Sequence, residues 1–294
     1  MKLRNYSLLG GALTLGLATY MTYDNNRISI NKIKIQSSKL PKEFDNFKIL
    51  QLSDLHCKIF GKENKRLIKK IDEINPDIII ATGDMFSTSL DLNESFFKLC
   101  EKLIKKYSIY YSLGNHETIL RTSKTSYKEW VENYLDKIKS LGVCLLDNEM
   151  VTLLRNNEKI NIYGLSLPMV FYRRRFNKDR DEKIELKGEF IDNLLGKPKK
   201  DEFNILLAHN PLNFEAYVEW GSDLIFSGHV HGGAVRLPIL GGILSPEIAF
   251  LPKYKEGTYA KNNSIMVVSR GLGNSSMPIR AFNSPEIVVS TLVS

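Results

Sequence analysis

The chain has 294 residues, 43% of them hydrophobic, which is enough for one large domain or two small ones with a sizeable core. Its 41 Lys and Arg against 33 Asp and Glu leave a formal charge of +8. The basic residues are scattered among acidic ones, which favours anionic partners and argues against a nucleic-acid binder with a basic arm or reading helix. Cys57, Cys100 and Cys144 stand at wide, irregular spacings, so neither a disulfide framework nor a CxxC metal or redox motif can be read from them.

In chain order, the first element is an uncharged run from Asn5 to Tyr23 behind Lys2 and Arg4. Its length and basic start predict an N-terminal signal-anchor or transmembrane helix over residues 5–23; a cleaved signal peptide has the same plan, and a buried or interfacial soluble helix is the third reading. This reading makes the membrane lipid bilayer a partner, in a single-pass arrangement. Basic residues flank both sides, so the positive-inside rule does not choose an orientation. A large domain after a single anchor can be translocated regardless of charge, which favours an extracytoplasmic placement. Residues 24–45 are polar and read as a tether, and residues 46–294 as one domain.

Short apolar, β-branched runs bounded by Gly, Pro, Asn and Ser then predict strands near 47–52, 77–81, 109–112, 143–146, 160–164, 204–208, 224–226, 265–269 and 287–292. Between several of them lie helical patterns. The stretch KENKRLIKKIDEIN places Leu67, Ile68, Ile71 and Ile74 on one face and stops at Asn75-Pro76. NESFFKLCEKLIKKY and TSYKEWVENYLDKIKSLG behave alike, the second ending at Gly142. Alternating strands and helices predict an α/β fold with a largely parallel sheet.

The residues just beyond the strands are a chemically selective set. ILQLSDLH ends in Asp54 and His56, IIIATGD in Asp84, IYYSLGNHE in Asn115, His116 and Glu117, ILLAHNP in His209, and LIFSGHVH in His229 and His231. All five histidines of the chain stand at such ends. In open α/β sheets, ligands bind in the crevice beyond the carboxyl ends of the strands. On extended backbone, residues two apart project to the same side, so Asp54 with His56, and His229 with His231, can converge. Imidazole nitrogens with carboxylate and amide oxygens form a donor set suited to Mn, Fe or Zn.

The ordered series Asp54-x-His56, Gly83-Asp84, Gly114-Asn115-His116-Glu117, His209 and Gly228-His229-x-His231 resembles the calcineurin-like metallophosphoesterases. The strings GHVHGGAVRLP and SRGLGNSSMPIRAFNSPEI resemble that family's bacterial, membrane-attached branch, which includes UDP-diacylglucosamine pyrophosphatase-type phosphohydrolases. The resemblance spans roughly residues 44–294. It implies a four-layer α/β/β/α sandwich, here behind one N-terminal transmembrane helix, and two divalent metal ions, Mn first, with Fe and Zn as alternatives. It further implies that Asp54, His56 and His231 hold one metal, that Asn115, His209 and His229 hold the other, and that Asp84 bridges them. His116 and Glu117 would then be catalytic. His116 would stabilise developing charge or protonate the leaving oxygen, and Glu117, where relatives usually carry Asp, would orient the His116 ring. A metal-activated hydroxide would attack phosphorus in line. The alternative in a different class is a membrane-tethered protein of the same fold that binds phosphate ligands without turnover.

For the substrate, MVFYRRRFNKDR sets Phe171, Tyr172 and Phe176 around Arg173, Arg174 and Arg175, a mixture suited to a lipid headgroup interface. Arg236, Arg270 and Arg280 are further candidates for anion binding by bidentate hydrogen bonds, with salt bridges inside the fold as the alternative. Together with the anchor, these residues suggest a phosphorylated, lipid-linked or sugar-nucleotide lipid substrate. The sequence does not address oligomeric state.

Overall fold

Each expected apolar run forms a strand, and alternate residues of these strands face different cores. In chain order the elements are α1 (Lys2–Asn26), β1 (Ser29–Gln36), β2 (Lys48–Leu52), α2 (Lys65–Ile74), β3 (Ile78–Thr82), α3 (Ser95–Leu103), β4 (Ser108–Ser112), α4 (Asn115–Arg121), α5 (Tyr127–Ser140), β5 (Cys144–Leu145), β6 (Glu149–Arg155) and β7 (Glu158–Leu165). The second half holds α6 (Gly188–Leu195), β8 (Phe203–Ala208), α7 (Phe214–Trp220), β9 (Leu224–Ser227), β10 (Val235–Leu237), β11 (Gly241–Leu244), β12 (Gly257–Lys261), β13 (Ser264–Val268) and β14 (Glu286–Val293). The computed structural model describes residues 2–88, 94–172, 184–233, 235–237, 241–244, 253–274, 280 and 282–294.

Two six-stranded mixed sheets stack on one another, in the orders β1-β14-β2-β3-β4-β5 and β12-β13-β9-β8-β7-β6. In the first, β2, β3, β4 and β5 run parallel, and β14 lies antiparallel to β2. In the second, β13, β9, β8 and β7 run parallel, with β12 and β6 antiparallel at the edges. Ile49, Ile80, Ile205, Leu207, Phe226, Val267 and Val288 meet in the core between the sheets. Their neighbours Leu50, Ile79 and Ala81 turn the other way and pack with Leu67, Ile71, Leu99 and Leu135 of α2, α3 and α5. Leu206, Ile225 and Met266 likewise pack with Ile191, Ala216 and Trp220 of α6 and α7. Buried on both faces, the central strands read as unbroken apolar runs, and the layers are helix, sheet, sheet, helix. The loops after β2, β3, β4, β8 and β9 gather at one edge of this sandwich.

The amino-terminal expectation is corrected. Helix α1 is 25 residues long, but no helix among the described residues is long and apolar enough to cross a membrane. This overturns the single-pass anchor and the extracytoplasmic placement that depended on it. An uncharged run is not the same as an apolar one. Between and around Leu8, Leu9, Leu13, Leu15 and Leu17 stand Ser7, Gly10, Gly11, Thr14, Gly16, Thr19, Tyr20 and Thr22. The last turn of α1 is fastened to the domain instead. Asp24 is buried and accepts a hydrogen bond from Ser284, Lys58 Nζ donates to the Asn25 carbonyl at 2.6 Å, and Arg66 Nη2 donates to the Asn26 carbonyl at 3.0 Å. Part of the stretch expected as a tether is strand β1, which pairs in parallel with β14 from Ser29↔Glu286 to Gln36↔Val293. Along it Ile33 and Ile35 turn inward while Lys32, Lys34 and Gln36 face solvent, as on a sheet edge.

Candidate active site

The strand ends leave their extended geometry abruptly. Asp54, His56, Asp84, His229 and His231 all have positive φ, between 44° and 69°, a region non-glycine residues enter only where their surroundings compel it. His229 and His231 therefore converge on the site by left-handed turns, and not by the two-residue alternation of an extended strand. Close approach of backbones does the compelling. A Cβ on Gly83, whose φ is +83°, would stand 2.6 Å from Gly114 Cα and 2.7 Å from His209 Nδ1. A Cβ on Gly228 would overlap Ser53 Oγ.

The donor atoms fall into overlapping groups, each with its atoms within 4.8 Å of one another: Asp54, His56 and His231; Asp84, His209 and His229; and His56, Asp84 and His116. His229 and His231 thus serve different groups. Carboxylate oxygens join the groups: Asp84 Oδ2 lies 3.1 Å from His209 Nε2 and 3.8 Å from Nε2 of both His56 and His116, and Asp54 Oδ1 lies 3.8 Å from His209 Nε2. On the other side, Asp54 Oδ1 lies 3.3 Å from His231 Nε2, and the Nε2 atoms of His56 and His231 are 3.2 Å apart. Asn115 sits at the first position of α4 with its Oδ1 buried and without a hydrogen-bond partner.

These residues fit divalent cations. His209 Nδ1 donates to the Thr82 carbonyl at 2.6 Å, because a carbonyl can only accept, and this leaves Nε2 as the atom that binds. That Nε2 is buried and makes no hydrogen bond, despite its 3.1 Å approach to Asp84, so both atoms are aimed at a shared point rather than at each other. The charges respond accordingly. Burial disfavours charge on His209, yet Asp84 and Asp54 outweigh it and raise its pKa to about 10. Burial would raise Asp84, but His209 and His116 hold it well below the usual carboxylate range. Burial pushes Asp54 up and His56 down to about 3.

Glu117 is the principal departure from expectation. It does not orient His116. Its Oε2 accepts from the amides of Asp84 and Gly114, both at 2.9 Å, and its Oε1 from the Met85 amide and the Tyr111 hydroxyl, both at 2.8 Å. Fully buried, it ties the loop after β3 to the start of α4, where its bond to Gly114 is half of a capping box. The His116 ring is positioned by the Thr88 amide, which donates to Nδ1 at 3.0 Å.

Other expectations fare differently. Arg270 donates through Nε to Glu286 Oε2 at 2.9 Å and through Nη2 to Ser29 Oγ at 3.1 Å, so its guanidinium is committed to fastening β1 and β14. Arg173, Arg174, Arg175 and Phe176 lie outside the described residues. Tyr172, expected on a basic aromatic surface, is instead buried, its ring 5.3 Å from that of His229. Two residues near the end of the chain reach His231 from behind, and of these the sequence reading singles out Arg280 alone, as an anion binder. Asn283 Nδ2 donates to the carbonyls of His231 at 2.7 Å and Gly233 at 2.8 Å, and Arg280 Nη2 donates to His231 Nδ1 at 3.0 Å. Neither follows a strand end, and the only signal for Asn283 is its place in the string IRAFNSPEI.

Known proteins bear on this geometry. The profile of the calcineurin-like phosphoesterases matches residues 47–233. The Bacillus subtilis protein named uncharacterized metallophosphoesterase YkuE is 30% identical over 98% of this chain and 94% of its own length. Phosphodiesterase YaeI of Escherichia coli is 27% identical over 84% of this chain and 82% of its own. UDP-2,3-diacylglucosamine pyrophosphatase LpxG of Chlamydia muridarum is 25% identical over 90% of each. The family profile spans the strand ends from Asp54 to His231 that build the site; the chain belongs to the calcineurin-like phosphoesterases, and its activity is the hydrolysis of phosphoester bonds.

Proposed function

We propose that this chain is a two-metal phosphohydrolase acting on phosphodiester or pyrophosphate bonds, with Asp54, His56 and His231 as ligands of one cation, Asn115, His209 and His229 as ligands of the other, and Asp84 shared. The observation that carries the reading is the position of Asp84 Oδ2 among His56, His116 and an unpartnered His209 Nε2. When bound, a pair of divalent cations supplies positive charge for the phosphoryl oxygens and lowers the pKa of a coordinated water towards neutrality. The nitrogen and oxygen donors suit Mn, Fe or Zn, and Mn is the first choice for reconstitution.

The chain's own groups divide the remaining work. Glu117 holds the Asp84 loop and the start of α4 in register, so that Asp84 and Asn115 need no reorganisation on binding. The Thr88 amide occupies the lone pair of His116 Nδ1, so the neutral ring carries its hydrogen on Nε2, towards Asp84. A neutral imidazole fixed in this tautomer is a hydrogen-bond donor. Its part is therefore to stabilise charge on a phosphoryl or leaving oxygen, in preference to giving up the proton.

For the lipid-linked substrate, support comes from the name of LpxG, at 25% identity, and from an apolar groove. Pro168, Val170, Phe171, Ile184 and Phe190 line that groove together with Glu185, Lys187, Glu189 and Asn193, and Phe171 is followed in sequence by Tyr172, which packs on His229. The test is direct. Metal-stripped chain is reconstituted with Mn2+, Fe2+ or Zn2+ and assayed on bis-p-nitrophenyl phosphate, then on UDP-2,3-diacylglucosamine against an acyl-free UDP-sugar. Absence of turnover with every cation sinks the enzyme reading and leaves a phosphate-binding protein. Equal rates on the acylated and acyl-free compounds sink the lipid reading alone.

A further inference from the structure

Arg280 is only 3% exposed, and among the described residues none of its hydrogen bonds goes to a carboxylate. Nε donates to the Gly273 carbonyl at 2.8 Å, Nη2 donates to the same carbonyl and to His231 Nδ1, and Nη1 is buried with no hydrogen-bond partner. A buried guanidinium without an anion is a costly arrangement unless it has a purpose. Here it stands directly behind a residue of the metal site.

The contact with His231 depends on whether that site is filled. His231 Nε2 is the nitrogen that faces Asp54 Oδ1 and His56 Nε2, at 3.3 and 3.2 Å, and is therefore the one offered to a cation. A neutral imidazole that binds a cation through Nε2 carries its hydrogen on Nδ1. Two N–H donors then oppose each other where Nη2 now donates to Nδ1. Cation binding thus removes one of the two acceptors of Nη2, on a guanidinium whose Nη1 already lacks one. At the same time Asp54, the carboxylate with the strongest pull on Arg280, is engaged by the cation.

We propose that Arg280 grips the substrate's phosphoryl group: once His231 is engaged by a cation, Nη1 and Nη2 form a fork for two phosphate oxygens. The phosphate supplies the anion that the buried guanidinium lacks. This inference rests on the phosphohydrolase reading and adds to it a substrate-binding residue outside the metal ligands.

The experiment uses full-length protein, wild type, Arg280→Lys and Arg280→Ala. Inorganic phosphate affinity is measured by calorimetry on Mn2+-loaded protein, and Mn2+ affinity on metal-free protein without phosphate. Arg280→Ala is expected to weaken phosphate binding about 10–100-fold, the range of hydrogen bonds to charged groups. Arg280→Lys keeps the charge without the fork and is expected to lose roughly 3–10-fold. Mn2+ affinity should stay within about threefold of wild type or rise, since the competing bond to His231 is gone. Unchanged phosphate affinity in both variants overturns the proposal. So does a fall in Mn2+ affinity as large as the fall in phosphate affinity, which would make Arg280 a mere support of His231. If the alanine variant does not fold, the lysine variant decides by the same criteria. Wild-type protein that binds no Mn2+ overturns this proposal together with the phosphohydrolase reading. Wild type that binds Mn2+ and hydrolyses the diester, while the variants keep its phosphate affinity, overturns the Arg280 role only.

Discussion

The two sheets support their shares of the site differently. The loops after β3 and β4 are tied by one residue of their own, Glu117, which takes up the amides of Asp84, Met85 and Gly114 and the Tyr111 hydroxyl. Residues 228–233, after β9, are held by the backbone bonds from Val230 to Gly228 at 2.8 Å and from Gly233 to Val230 at 2.9 Å. His231 and Gly233 are held by Asn283, about 50 residues further along, and the His229 amide donates to Asp54 across the gap between the sheets, at 3.1 Å. One side is fixed by a buried side chain of its own, and the other combines short backbone bonds with side chains borrowed from distant segments. A site that must close on cations can use both, with rigidity where Asp84 is shared and freedom where the last histidines arrive.

The largest effect should come from the shared position. Asp84→Asn removes the carboxylate whose Oδ2 lies 3.1 Å from His209 and 3.8 Å from both His56 and His116, and kcat/KM on a diester should fall at least about 10³-fold, with fewer Mn2+ bound per chain by elemental analysis. Full activity would show that the groups do not depend on a common oxygen. Next is Glu117→Gln. Whichever way the amide turns, its NH2 meets a backbone N–H donor, of Met85 on one side or of Asp84 and Gly114 on the other. Calorimetry of the metal-free protein should register roughly 1–3 kcal/mol of lost stability. An unchanged melting temperature would refute the clamp. A smaller effect sharpens the contrast itself. Chelation should increase hydrogen exchange about tenfold over residues 228–233 while the amides bonded to Glu117 stay protected. Equal increases on both sides would erase the distinction between them.

How much of the molecule is legible in its sequence depends on whether the signal is local. Strands such as β3 and β8, five and six residues long and buried throughout, are legible because both faces demand apolar side chains. β1 is not, because its alternating Lys and Ile have meaning only beside β14, some 250 residues later. The metal-binding types stand at strand ends, so Asp54, His56, Asp84, Asn115, His209, His229 and His231 can be named from sequence, although the left-handed turns that unite them cannot. The role of Glu117 is hidden because its partners lie 32 and 33 residues upstream in another loop. In α1 lack of charge imitates apolarity, and the intervening Gly, Thr and Tyr decide otherwise.

The smallest effect separates the two groups of donors by their protons. In the metal-free chain burial works against the His209 imidazolium, but Asp84 and Asp54 raise its pKa to about 10. Nδ1 already donates to Thr82, so the additional proton sits on Nε2, the atom a cation needs. His56 is the reverse case, since burial lowers its pKa to about 3 and leaves it neutral and ready. Near pH 7.5, filling the Asp84–His209–His229 group must therefore expel about one proton, whereas His56 contributes none to filling its own group. Affinity at the His209 group should rise roughly tenfold per pH unit until the pH reaches the His209 pKa, while His56 adds no such slope at its group. Titration calorimetry with Mn2+ in HEPES and in Tris separates these events, because the two buffers take up a released proton with different heats. Two binding steps of which one alone depends on the buffer would confirm the contrast, and identical heats for both steps in the two buffers would mean that His209 holds no proton for the cation to displace.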